Sequence, residues 1–149
     1  MDDLVETIKG QADTVAPDGS TDATVDLGST DDPKVVVVTG DFEMISNDIH
    51  HGAGILIVTG TLIFAGSPNY DGLILVIGEG YVRRIIGYYD SGTFNGAILI
   101  ANTTGGVLGP PSYTTAGHGK GTIQYCSTAV DNAVDLLSFL KPVAVRDIR

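Results

Sequence analysis

Apolar residues in this chain come in short unbroken runs that end near a glycine, and the runs repeat. KVVVVTG starts at Lys34, GILIVTG at Gly54, GLILVIG at Gly72, GAILIAN at Gly96 and GTIQYCS at Gly121. Their starting points lie 20, 18, 24 and 25 residues apart. Self-similarity on this scale marks stacked units, none of which can bury its hydrophobic face alone. The runs are short and rich in β-branched residues, so they read as strands. Unbroken apolarity suits parallel strands covered on both faces. A helical crossover between parallel strands needs about a dozen residues, which so short a period cannot hold. The chain must return to the same line at each turn. The pattern predicts a right-handed parallel β-helix of about four to six coils, with equivalent residues stacked about 4.8 Å apart. Gly54, Gly72 and Gly96 then stack at one corner, and Ile55, Ile57, Leu73, Leu75, Ala97 and Leu99 share one face.

The chain reads as one domain over residues 1–149, with the coils in 34–126. Residues 2–12 form an amphipathic helix in which Leu4, Val5 and Ile8 share a face. Residues 13–33 are a polar, turn-rich lead-in with a short strand at 23–27. Residues 103–119 interrupt the coils; Pro110-Pro111 and several glycines exclude a regular element across them. In residues 127–149, a second helix carries Val130, Ala133, Val134 and Leu137 on one face, Pro142 ends it, and a last strand follows at 143–148. A solenoid has two open ends, so both helices are expected to serve as caps and to prevent coils of different molecules from stacking head to tail.

The formal net charge of −10 argues against nucleic acid and anionic membrane surfaces as partners. Nine of the acidic residues fall in the first 33 positions. The longest apolar stretch, residues 54–65, is broken by Thr59-Gly60-Thr61 and is shorter than the roughly 18 residues of a membrane span. Met1 is followed by Asp2 and Asp3, which is not the start of a secretory signal. The single cysteine, Cys126, forms no internal disulfide and reads as a buried, inert thiol.

Candidate chemistry is sparse. His50 and His51 are neighbours on an extended stretch, where side chains point to opposite faces, so they make a poor chelate. A polysaccharide hydrolase would need two or three acids stacked on one face. Asp41, Glu43, Asp71, Glu79 and Asp90 lie near turns or strand ends, and none recurs at an equivalent repeat position. Asp71-Gly72 and Asn95-Gly96 do share a position and read as turn formers. No loop has the spacing of a calcium site. Arg83-Arg84 reads as a solvated strand face. No catalytic residue, cofactor or metal is expected. Tyr88, Tyr89, Tyr113 and His118, all placed in loops, are the candidate interaction surface.

GAGILIVTGTLIFAGSPNYDGLILVIGEG, then FNGAILIANT, then GKGTIQYCSTAVDNA and a terminal AVRDIR occur here in one order. In that order they resemble the C-terminal soluble region of PilX-like type IV pilus-assembly proteins, over about residues 4–149. Two features depart from the family. Val145-Arg146-Asp147-Ile148 stands where the family has Trp-Arg-Glu-Ile, and the family's N-terminal pilin-type helix is missing. The chain thus reads as an excised or independently encoded soluble domain. The resemblance implies an extracellular or cell-envelope setting and a non-catalytic structural or interaction role in a pilus-like filament system. It also implies other pilus or envelope proteins as partners, with self-association, and no membrane contact by this fragment. The competing expectation is a carbohydrate-binding or carbohydrate-active β-helix protein.

Overall fold

The computed structural model describes residues 2–45, 51–87, 91–118 and 122–137. Its strands are β1 (Thr14–Pro17), β2 (Ser20–Thr21), β3 (Lys34–Thr39), β4 (Phe42–Met44), β5 (His51–Val58), β6 (Thr61–Ala65), β7 (Asn69–Gly78), β8 (Tyr81–Ile86), β9 (Thr93–Asn102), β10 (Ser112–Gly117) and β11 (Thr122–Tyr125). Two helices flank them, α1 (Asp2–Lys9) and α2 (Ser127–Val134). Odd-numbered strands form a six-stranded sheet in the order β1-β3-β5-β7-β9-β11. Even-numbered strands form a five-stranded sheet in the order β10-β8-β6-β4-β2. Every strand pair is parallel, so the chain alternates between two sheets as it climbs. This is a β-solenoid, as the repeat requires.

The register follows the first four glycine phrases, whereas the fifth is out of step, with Tyr125, four residues into it, opposite Gly96. Lys34 pairs with Gly54, Gly54 with Gly72, and Gly72 with Gly96. The glycines stack, but inside strands rather than at a corner. Their φ angles of 121°, 143° and 140° bend β5, β7 and β9 at the same height. Past this bend the side chains alternate between two apolar layers. Val36, Leu56 and Ile74 point inward and meet Phe42, Leu62 and Val82 from the other sheet. Val35, Ile55, Val37, Ile57, Leu75 and Ile77 point outward from the six-stranded sheet. Such strands carry apolar side chains on both faces, and their sequence therefore lacks alternation.

The outward layer needs a cover, and the helices supply it. Val5 and Ile8 of α1 join this layer, as do Ala133 of α2 and Leu137 just beyond it. α2 lies across β5, β7 and β9. The helices thus pack on the side of the stack and are not the end caps expected from the sequence. The reason is area: a face several aliphatic strands wide offers more apolar surface to bury than one coil end.

The lead-in at 13–33 holds a coil of its own. β1 and β2 pair with β3 and β4, and residues 23–27 hold no strand where one was expected. The interruption at 103–119 likewise contains a 3-10 turn at Thr104–Gly106 and the strand β10. The expected strand at 143–148 lies outside the described residues.

Polar side chains continue the coil-to-coil bonding where the sheets stop. Asp13 Oδ2 accepts from Val35 N at 2.8 Å, and Asp18 Oδ1 accepts from Asp41 N at 2.6 Å. Asp41 Oδ1 accepts in turn from Thr61 N at 2.7 Å, and Asn69 Oδ1 from Thr93 N at 3.0 Å. In each case a side chain of one coil binds the backbone of the next. Carboxylates therefore do recur at one corner, as structural acceptors. Asp71 and Asn95 lie in strands rather than turns, and Asn95 Nδ2 donates to Asp71 Oδ1 at 2.8 Å.

Candidate functional site: an acid-free terminal coil

The two sheets end together. β10 pairs only with β8, and β11 only with β9, among the described residues. Both strands are exposed along their whole length, whereas β5, deeper in the stack, is buried from Gly52 to Val58. Ile123 extends the inward column of Tyr70 and Phe94, yet it is exposed. Tyr125 is 73% exposed, Val107 74% and Leu99 57%. Leu108 and Tyr113 are exposed at the same end.

Between Asp90 and Lys120 the chain has no Asp, Glu, Lys or Arg. Edge strands of soluble proteins are normally shielded by charge, by proline or by a covering element. Here Pro110-Pro111 precede β10, but the strand itself, SYTTAG, carries no charge, and neither does TIQY of β11. A side-chain pair, Tyr81 Oη with Thr114 Oγ1 at 3.2 Å, ties β10 to β8.

Of the four expected surface residues, Tyr113 lies on β10 and His118 directly after it, both exposed. Tyr88 and Tyr89 lie outside the described residues, as does His50. Reading residue by residue missed Leu99, Val107, Leu108, Ile123 and Tyr125. The charge-free run was the signal that could have found them. Arg83 is exposed, but Arg84 is half-buried at the inward register position above Phe64, which corrects its reading as part of a solvated face.

Two clefts offer alternatives. One of about 390 Å³ is lined by Asp22, Val25, Asp26, Leu27, Met44 and Gly52. Its acids serve the fold: Asp22 Oδ1 accepts from Ile45 N, and Asp26 Oδ2 lies 2.9 Å from Lys34 Nζ. The Lys34 hydrogen bond holds the Asp26 carboxyl below its usual range, and Asp26 in turn raises Lys34. A second cleft, about 220 Å³, lies under α2 and includes Pro33, Asp71, Cys126, Thr128 and Asn132. Cys126 is free and half-buried there. Among the described residues no three His, Cys, Asp or Glu side chains gather in a way that could hold a metal ion. No helix of the described residues is long and apolar enough to cross a membrane.

One buried polar atom stands out. Tyr70 packs its ring over Gly52, where any side chain would strike it, and its hydroxyl has no hydrogen-bond partner among the described residues. Burial pushes its pKa far above the ordinary tyrosine value. The unfolded chain ionises this phenol near about pH 10 while the folded one holds its proton, so stability is intact below that pH and falls as pH rises above it. Tyr70→Phe should match or exceed the parent by up to about 2 kcal/mol at neutral pH and flatten the alkaline loss. Urea midpoints from neutral to alkaline pH check this.

No family model, curated protein or solved structure matches the chain.

Proposed function

We propose that this chain is a non-catalytic structural or interaction domain of a pilus-like, cell-envelope filament system. The observation that carries the non-catalytic part is how the acids are used. Asp13, Asp18, Asp22 and Asp41 each accept a backbone N–H of the following coil. Glu79 accepts from the Thr61 hydroxyl at 3.2 Å. A hydrolytic pair needs carboxyls facing a substrate across a groove, with one of them able to give up a proton. These instead join coil to coil. The rigid stack then presents its terminal coil outward, as a scaffold does. The filament setting rests on the resemblance of the glycine-aliphatic phrases to those of PilX-like proteins.

The test has two arms. In cells that encode the protein, antibody should label the surface and find it in the fraction sheared off with filaments; confinement to the soluble interior would overturn the setting. Purified protein should release no new reducing ends or unsaturated sugars from acidic or neutral polysaccharides. Turnover that is lost on Glu79→Gln with the fold intact would establish the carbohydrate-active alternative.

A further inference from the structure

We infer that the terminal coil, whose two strands carry no charged side chain, is where two copies of this chain meet end to end, related by a two-fold axis. This deepens the reading of the chain as an interaction domain and rests on it. β10 and β11 each offer one unpaired backbone edge at the same end of the stack, among the described residues. A strand edge can pair antiparallel with its own copy across a two-fold axis, and such a contact closes on itself as a dimer. Ile123 and Tyr125 would then be covered by their counterparts, with Leu99, Val107 and Tyr113 around them.

Charge selects this partner and this orientation. The chain carries −10, which opposes most contacts between copies. The acids are concentrated at the other end, nine of them in the first 33 residues, and the terminal coil has none. The stack from β1 to β11 spans five strand spacings, roughly 24 Å. Meeting by their terminal coils holds the two acidic ends roughly 50 Å apart, several Debye lengths at physiological salt. A head-to-tail contact is disfavoured. It would press Asp13, Asp18 and Asp22 against an apolar surface, while their carboxylates already bond β3, Asp41 and Ile45 on the inner side. The opposite edge is also poor: β2 is only two residues long.

Sedimentation velocity of the full chain, from about 1 to 200 μM, tests the inference. The expected result is a monomer–dimer equilibrium with no larger species, maintained or strengthened in about 0.5 M salt. Ile123→Lys and Tyr125→Glu change exposed residues, so circular dichroism should be unaltered, and each should weaken the dimer at least about tenfold. Val15→Lys, at the opposite end, should leave it unchanged. A monomer throughout, open-ended growth, or a dimer sensitive to Val15→Lys and indifferent to Ile123→Lys overturns the inference. A monomer that is still found among sheared filaments would sink the dimer and leave the domain reading standing. Polysaccharide turnover would sink the domain reading and leave the dimer.

Discussion

Gly72→Ala should abolish the native fold or leave it barely stable. Gly72 sits in the middle of the glycine column with φ of 143°, a conformation that L side chains rarely adopt. A Cβ there would fall on the carbonyl oxygen of Gly54 in the coil below. That oxygen belongs to backbone, and the parallel ladder holds it on both sides, so no rotamer change relieves the clash. Moving it means separating β5 from β7 along eight paired residues. Strain and lost pairing together should cost about 4 kcal/mol or more, against a total stability of about 5–15 kcal/mol for a domain. Gly105 is the control. It has φ of 79° but nothing within 4 Å of its added Cβ. Gly105→Ala should therefore cost only about 1–2 kcal/mol, the intrinsic penalty of that conformation. Thermal and urea unfolding of the pair would refute this if the two variants matched.

Phe64→Ala should be the second most damaging change. Phe64 is buried, and its ring meets Phe94 from the opposite sheet with centroids 4.5 Å apart. It bridges the two sheets, with Met44 below it in the same column. Removing it leaves a void that the stacked backbones cannot close, because coil spacing is set by hydrogen bonds. The expected loss is about 3–5 kcal/mol. Phe94→Ala should cost less, since Phe94 lies beneath the exposed Ile123, where side chains can shift into the gap. The double variant should fall short of the sum of the two. Urea midpoints of the three variants measure this; an additive result would mean that the rings do not share one packing unit.

The solenoid was legible because its signal is one of period. Five glycine-aliphatic phrases, spaced too closely for crossover helices, leave little but a coil. The shared face of Ile55, Leu73 and Ala97 followed from the same alignment. What stayed hidden was whatever depends on the path between phrases. β1 and β2 were missed because TVAP and ST hold too few apolar residues to announce strands; they are strands because β3 and β4 template them. β10 was missed for a similar reason: Pro110-Pro111 suggested disruption, yet the chain resumes pairing directly afterwards. The helices were legible as helices, but not their seat, since an apolar face says that something must be covered and not what. Asp71 and Asn95 looked like turn residues because each precedes a glycine; at these glycines the strand bends without ending.

The two ends of the stack are built differently. The first coil is short and acidic, and its side chains bond inward to the next coil. The last coil is long, has no Asp or Glu and a single lysine, Lys120, and exposes tyrosine and aliphatic side chains. An unshielded edge of this kind invites pairing unless something covers it. A protein with −10 net charge can leave such an edge open, because general repulsion limits indiscriminate association while a contact at the end distant from the acids is spared.

Hydrogen exchange read by mass spectrometry, at low and high protein concentration, addresses the whole account in one experiment. Amides of β3, β5 and β7 should exchange slowly at both concentrations, as the inner rungs of a continuous parallel ladder. Amides of residues 112–118 and 122–125 should exchange quickly in dilute protein and become protected as concentration rises. Protection that instead appears in residues 14–26, or no change in the terminal coil at any concentration, would contradict the claim that this end of the solenoid is its contact surface.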